Sequence, residues 1–255
     1  MRVEYKYLVP NESLSRLRGM IAPFVETDVH AAAYGERGYT VRSIYFDTRA
    51  LDFYHQKLAG VKVRKKLRLR GYNGSEESSI VFLEIKRKHV THVIKSRAPL
   101  EYAHLQDLFA TGNVERYVLV SQGFPRALED ARRFFFHLCR NALRSVALVV
   151  YEREAYHSKF DPSLRITFDK CLRSAIYPAL DALFKEKEIR HIMPQHFILE
   201  VKLSGRFPSW LRSAVGTLGL RQQALSKYVI GIDRHGTLRG NAKHPALAFA
   251  RPCHL

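Results

Sequence analysis

Between residues 59 and 71 every second side chain is a cation. Side chains alternate across an extended strand, so Lys62, Arg64, Lys66, Arg68 and Arg70 share one face, and Val61, Val63, Lys65, Leu67 and Leu69 share the other. The same period recurs along the chain. In 79–90, Glu84, Lys86 and Lys88 oppose Val81, Leu83 and Ile85. At the start, Arg2, Glu4 and Lys6 oppose Val3, Tyr5 and Tyr7. In 163–170, Arg165, Thr167 and Asp169 oppose Leu164, Ile166 and Phe168. Near residue 200, Glu200 and Lys202 oppose Leu199, Val201 and Leu203, and Tyr151 shares a face with Arg153. A solvated sheet face usually mixes charge signs, whereas these faces are almost purely cationic. Their acids fall in one pattern, Glu4-x-Lys6, Glu84-x-Lys86 and Glu200-x-Lys202.

If such strands close into a barrel with the charged faces inward, the cost is large. Two cations ~7 Å apart repel by roughly 2 kcal/mol at an effective dielectric near ~20, and several such pairs rival the ~5–15 kcal/mol net stability of a domain. A wet lumen that holds anions resolves the conflict. A phosphate chain suits it, since its oxygens match Arg forks and Lys, and the few carboxylates can hold a divalent metal that bridges phosphates.

The rest of the composition narrows the class. The 255 residues carry 42 Lys plus Arg against 24 Asp plus Glu, a net charge of +18, which calls for an anionic partner. The hydrophobic fraction of 46% is enough for a sizeable core. The N-terminus has no apolar signal core, and the longest apolar run, 146–151, is far short of the ~20 residues that span a bilayer. Cys139, Cys171 and Cys253 form no C-x-x-C pair, which disfavours a disulfide framework or zinc site and predicts a reducing, cytoplasmic setting. The 12 His residues are scattered; His89/His92 and His191/His196 lack a metalloprotease frame and read as solvated or packed.

The pattern predicts strands at about 2–8, 39–47, 59–71, 79–90, 144–156, 163–170 and 196–203, with Gly71 to Ser79 as a long hairpin connection. Three apolar stripes predict helices that pack on the core: Leu14, Leu17, Ile21 and Phe24; Leu128, Ala131, Phe135, Leu138 and Ala142; and Trp210, Leu211, Ala214 and Leu218, with Pro208 opening the last. Residues 236–255 read as a C-terminal tail.

In order along the chain, Arg2-Val-Glu-Tyr-Lys-Tyr7, Tyr39-Thr-Val-Arg-Ser-Ile-Tyr-Phe-Asp-Thr48, Lys66-Leu-Arg-Leu-Arg-Gly-Tyr72 and Phe82-Leu-Glu-Ile-Lys86 are followed by Tyr151-Glu-Arg153, Leu164-Arg-Ile-Thr-Phe-Asp169, Ile198-Leu-Glu-Val-Lys-Leu203 and Ser226-Lys-Tyr-Val229. No one of these is specific, but the ordered set resembles the VTC domain, the polyphosphate polymerase domain of the vacuolar transporter chaperone complex and a member of the CYTH or triphosphate tunnel superfamily. The resemblance covers about residues 2–235. It implies an α+β fold, an antiparallel β-barrel tunnel with flanking helices, in one catalytic domain over 1–235. It also implies transfer of the ATP γ-phosphate to a growing inorganic polyphosphate chain, with Mn²⁺ or Mg²⁺ as cofactor.

Carried over by motif, Arg68, Arg70, Lys86, Arg165 and Glu200 are the expected catalytic set. Lys6, Lys95, Arg97, Tyr151, Arg153, Lys202, Ser226 and Lys227 are expected to bind substrate, and Glu200, with Glu84 and Glu4, to hold the metal. Arg64 and Lys66 stay open between the tunnel mouth and the outer surface. Expected partners are ATP and inorganic polyphosphate, triphosphate or pyrophosphate. A membrane-protein partner also belongs to that expectation, whereas a specific nucleic acid does not.

The sequence leaves rivals. Tunnel hydrolases usually open with Glu-x-Glu-x-Lys, and here a cation takes the first place, in Arg2-Val-Glu4-Tyr-Lys6. That favours a polymerase over a two-metal triphosphatase, though water can replace the acceptor. Class IV adenylyl cyclase and thiamine triphosphatase are weaker rivals, since no adenine or thiamine pocket is legible. A non-enzymatic polyphosphate- or RNA-binding module would use the basic stripe 62–70, but that face lacks the aromatics that stack bases.

Overall fold

The computed structural model describes residues 2–32, 38–74, 79–90, 92–186 and 188–236. The tail at 237–255 and the middle of the 71–79 connection lie outside the described residues. Among the described residues ten strands are present: β1 (Arg2–Pro10), β2 (Val25–Thr27), β3 (Tyr39–Asp47), β4 (Val63–Tyr72), β5 (Ile80–His89), β6 (His92–Glu101), β7 (Arg144–Ser158), β8 (Arg165–Ile176), β9 (Arg190–His191) and β10 (His196–Ser204). The helices are α1 (Leu14–Ile21), α2 (Val29–Ala32), α3 (Asp52–Leu58), α4 (Leu105–Thr111), α5 (Val114–Tyr117), α6 (Ala127–Arg140), α7 (Ser209–Thr217) and α8 (Lys227–Asp233). The strands form one antiparallel sheet in the order β1-β10-β8-β7-β3-β4-β5-β6, with β2 on β7 and β9 on β8. By hydrogen bonds the path is not closed. The architecture is the expected α+β, an antiparallel sheet flanked by helices. No helix among the described residues is long and apolar enough to cross a membrane.

The chain divides into two compact units. The first takes the described residues within 1–41, 150–173 and 191–226; the second takes those within 42–149 and 174–190 and those from Lys227 onward. In the first, the odd-numbered residues of β1 and β10 and the even-numbered ones of β8 form the apolar face. Tyr7, Leu199, Val201, Ile166 and Phe168 lie on it, covered by Leu17 and Ile21 of α1 and Leu211 and Ala214 of α7. Phe24 stacks on Trp210 at 4.5 Å. Pro208 precedes α7 as its N-cap in extended geometry, just ahead of the first turn.

In the second unit Leu67, Leu69, Leu83, Ile85 and Ala98 make the apolar face, and α6 packs on β5 and β6. Of the expected stripe on α6, Ala131 and Leu138 are buried as expected, but Ala127 and Phe134 take the buried places expected for Leu128 and Phe135, which are only partly buried, and Ala142 lies past the helix end with φ 46. The helix runs on a face set by Ala127, Ala131, Phe134 and Leu138, which is the i, i+4, i+7, i+11 row.

β6 was not expected as a strand. Its first four residues are exposed on both faces, so polarity does not alternate there, and it contains Pro99. It ends the hydrogen-bonded path, where proline is tolerated, and pairs with β5 along its whole length, from Ile80↔Glu101 to His89↔His92. The short α3 was also unforeseen. Leu51, at its N-cap, has φ 59 and no capping side chain. Asp47 caps the helix instead: its Oδ1 accepts from the backbone N–H of Phe53 (2.9 Å), and its Oδ2 accepts from the backbone N–H of Tyr54 (3.0 Å) and from the Tyr228 hydroxyl (2.5 Å).

The burial of Phe134 in place of Phe135 has a direct test. Phe134→Ala is expected to lower stability by about 3–5 kcal/mol in urea unfolding, the usual cost of a buried Phe cavity, and Phe135→Ala by well under half of that.

Candidate functional site: two sets of cations around buried carboxylates

The polar face of the first unit is built from cross-strand rows. Glu4 pairs with Lys202, and Lys202 with Arg165; one step on, Lys6 pairs with Glu200, and Glu200 with Thr167. Adjacent rows therefore alternate in sign. Lys6 Nζ lies 3.6 Å from Glu4 and 3.4 Å from Glu200. Lys202 Nζ lies 3.5 Å from Glu4 and 3.8 Å from Glu200. Glu200 is buried, while Glu4, Lys6 and Lys202 stay partly open.

Arg153 enters the same cluster from β7. Its Nε and Nη2 donate to the two oxygens of Asp169 at 2.6 and 2.8 Å, and Nη2 lies 3.7 Å from Glu200. Its guanidinium sits 5.2 Å from the centre of the buried Tyr151 ring. Burial opposes the charge on Arg153, but Asp169 leads the groups that outweigh it and hold its pKa well above the ordinary value. Gly38 is required beside it: with φ +81, a Cβ there would lie 2.1 Å from the Arg153 carbonyl oxygen. Arg165 shares the polar face but spends its Nε on Asp28 at 3.1 Å, and Asp28 also meets His157 at 2.7 Å. The stretch after α7 runs beside β1: Gln222 bridges Tyr7, and the Leu225 carbonyl accepts from Lys6 Nζ at 3.3 Å, which leads to the buried Ser226.

In the second unit Arg68, Glu84 and Arg97 form one row across β4, β5 and β6, and Lys66, Lys86 and Lys95 form the next. Glu84 is the only acid of the two rows and is 2% exposed. Arg68 lies 2.6 Å from its Oε2 and Arg70 3.9 Å, while Lys95 and Arg97 each lie 3.1 Å from Oε1. Burial alone would push the Glu84 pKa up; these cations reverse that and hold the carboxyl far below the usual carboxylate range. Burial and Arg97 likewise pull Lys95 down, against Glu84. The lysine row has no acid of its own, and Lys86 and Lys95 are exposed. Lys227 opens α8 and acts electrostatically on Tyr45.

The sequence-predicted residues thus fall into two groups. Lys6, Tyr151, Arg153, Glu200, Lys202 and Glu4 gather in the first unit, with Arg165 on the same face and Ser226 close behind Lys6's partner Leu225. Arg68, Arg70, Glu84, Lys86, Lys95 and Arg97 gather in the second, with Lys227 near Tyr45.

Several neighbours were missed. Tyr45 accepts from Arg68 at 3.2 Å, Ser43 from Arg70 at 3.2 Å and Tyr72 from Arg97 at 3.0 Å. Burial raises the phenols of Tyr45 and Tyr72, yet the surrounding arginines bring both below the ordinary value. Thr167 Oγ1 is buried without a hydrogen-bond partner, next to Glu200. A strict odd-number reading of 39–47 would have put Ser43, Tyr45 and Asp47 on one face; β3 is buried from Val41 onward, so polarity gave no alternation to read.

Among the described residues no group of three or more His, Cys, Asp or Glu side chains gathers at metal-binding distance. Glu4 and Glu200 are two hard oxygen donors that share the neighbours Lys6 and Lys202. They suit a divalent cation that keeps waters and substrate phosphates as its other ligands. Both oxygens of Glu84 face cations, and its place is that of a counter-ion.

The family model of the VTC domain matches residues 1–235. The chain belongs to the VTC domain family. A search of curated proteins returns no match. Among solved structures this VTC domain is similar to a protein from Hippeastrum, described as an adenylyl cyclase candidate with a dominant triphosphatase activity. The TM-score is 0.50 at 17% identity, covering 93% of this chain and 97% of that one. It is also similar to a protein from Pyrococcus horikoshii (TM-score 0.44, 16% identity, 92% and 99% covered) and to an adenylate cyclase candidate from Vibrio parahaemolyticus (0.44, 12%, 90% and 96%). The Hippeastrum likeness shows a shared fold.

Glu84→Gln is expected to destabilise this VTC domain by about 3–5 kcal/mol at neutral pH, the range for removing one partner of a buried ion pair. A carboxyl depressed in the folded state stabilises above its unfolded pKa of ~4.3 and loses that contribution as pH falls through the lower folded value. The gap between wild type and variant in denaturant melts should therefore be full above about pH 5 and close toward strong acid.

Proposed function

We propose that this VTC domain is a polyphosphate polymerase that transfers the γ-phosphate of ATP to the end of an inorganic polyphosphate chain. Family membership over residues 1–235 supports phosphoryl transfer. The observation that carries the polymer is the lysine row. Lys66, Lys86 and Lys95 stand directly opposite one another on neighbouring strands, with Lys95 also 3.1 Å from Glu84; like charges set opposite each other repel, and a polyanion laid along the row would offset that repulsion. Arg68, Arg70 and Arg97 continue the row with planar forks that suit phosphate oxygens. Lys6, Arg153, Arg165 and Lys202 would bind phosphates in the first unit, with Tyr151 and Ser226 as further donors there and Lys227 as a further donor in the second.

Phosphoryl transfer needs positioning and charge neutralisation more than covalent help. The arginines and lysines hold the donor and acceptor phosphates against their mutual repulsion. Asp169 fixes Arg153 by a two-point bond, so the fork is oriented before substrate arrives. The attacking terminal phosphate is already ionised near neutral pH, and no general base is needed. Glu200 and Glu4 would hold Mn²⁺ or Mg²⁺, which neutralises charge on the phosphates when bound. Glu84 is assigned to the cations and not to the metal.

Incubation with ATP and Mn²⁺, resolved on a gel, separates the readings. Long polyphosphate with stoichiometric ADP is expected, absent without metal and absent in Glu200→Ala. Lys86→Ala is expected to lower polymer yield by about 10–100-fold, the worth of one charged hydrogen bond, while leaving the melting temperature unchanged or higher. Release of free phosphate without polymer would make the protein a triphosphatase. Affinity for polyphosphate with no ADP formed would make it a binding module. Saturating triphosphate is also expected to raise the melting temperature.

A further inference from the structure

The far end of the β4–β5–β6 meander carries a surface that phosphoryl transfer does not explain. Val61, Val63, Val90, Val93 and Ile94 are exposed by 39, 57, 45, 50 and 50%. They gather at one end: Val63 pairs with His89 and His89 with His92, Lys88 pairs with Val93 and Arg87 with Ile94, and the Val90 N–H donates to the Lys62 carbonyl at 3.1 Å. Lys62, Arg64, Lys65, Arg87 and Lys88 are interleaved with them, and neither 61–66 nor 86–95 contains an Asp or Glu. Exposed aliphatic side chains that gather in one patch rimmed by polar residues mark an interaction surface.

The positive field extends to the neighbouring helix. Lys65 Nζ meets His137 Nδ1 of α6 at 3.3 Å. Burial first, then Lys65, Arg87, Arg133 and Arg140, holds that imidazole down to about 4.

We propose that this end of the meander docks on an anionic lipid surface, with the Val and Ile side chains entering the headgroup boundary and the surrounding lysines and arginines meeting lipid phosphate and carboxylate groups. Charge complementarity names the sign of the partner, and the side chains name its class. Neither segment contains Phe, Tyr or Trp, the residues that stack nucleic-acid bases, whereas aliphatic tips flanked by Lys and Arg suit a bilayer interface. A bilayer meets the end of the strands, so residues of both faces contribute: Val63 and Ile94 from one, Arg64, Lys88 and Val93 from the other. Lys66, Lys86 and Lys95 stay with the phosphate set, and the docking surface is made by their neighbours toward the tip.

The test is flotation of the full chain with vesicles of phosphatidylcholine alone or mixed with phosphatidylserine. Binding at least about tenfold stronger to the anionic vesicles, and lost at high salt, is expected. The pair Val93→Ser with Ile94→Ser should reduce it at least about fivefold with unchanged circular dichroism, while Phe160→Ser, an exposed apolar residue on another element, should not. In Ile94→Trp, tryptophan emission should move to the blue on adding anionic vesicles. Equal or no flotation with the two vesicle types overturns the proposal. Anionic binding that is indifferent to the serine pair, or no spectral shift, also overturns it and leaves a bare polyanion contact. Glu200→Ala should keep full vesicle binding, so loss of transfer and loss of docking are read separately.

Discussion

The structure depends on a small number of buried carboxylates placed among many cations. Glu84 is the acid within reach of Arg68, Arg70, Lys95 and Arg97, and Asp169 with Glu200 plays that part for Arg153. Cations on adjacent strands repel, and a sheet that carries them on one face holds together only where an acid is interposed or water screens them. The geometry follows this rule. In the β4–β5–β6 meander Arg68 and Arg97 stand in the row that contains the buried Glu84, and the exposed Lys86 and Lys95 stand in the row without an acid. Guanidinium groups tolerate burial in fixed two-point bonds, whereas ammonium groups keep their hydration. Within the meander the division between arginine forks and exposed lysines follows the row in which Glu84 stands.

Much of this was legible in the sequence. The alternation of charge and apolar side chains gave the strands of both units and put Glu4, Lys6, Glu200 and Lys202 on one face, where they are found. The Glu-x-Lys pattern marked the two acids at the centres of the clusters, Glu84 and Glu200. What stayed hidden has a common physical cause: alternation disappears where both faces of a strand share one environment. β3 is buried on both, so Ser43 and Tyr45 gave no signal, and the first half of β6 is exposed on both, so Lys95 and Arg97 were placed after a strand and not within one. Asp28 and Asp169 were invisible as partners because ion pairs across 137 and 16 positions have no local mark. On α6, Phe134, Phe135 and Phe136 are adjacent and equally apolar, and only packing against the sheet decides which turns inward.

The two clusters differ in how firmly their parts are held. In the first, Arg153 is fixed by Asp169, by its contact with Tyr151 and by the backbone approach that only Gly38 permits, while Lys6 and Lys202 are partly exposed and sit at ion-pair distances of 3.4 to 3.8 Å. A rigid arginine beside adjustable lysines suits a ligand whose phosphates must be held at one point and moved along at the next. Long lysine side chains can follow a moving charge with little change in energy, which a locked guanidinium cannot.

The position of Glu84 in the middle strand also bears on how the chain acquires its structure. β4, β5 and β6 are consecutive in the chain and paired in the sheet, so joining them closes little chain entropy. Because the acid lies between the two cationic neighbours, each new strand that docks meets the charge it needs. The arginine row of the meander therefore carries its own counter-charge, whereas the neighbouring lysine row depends on water or an anion.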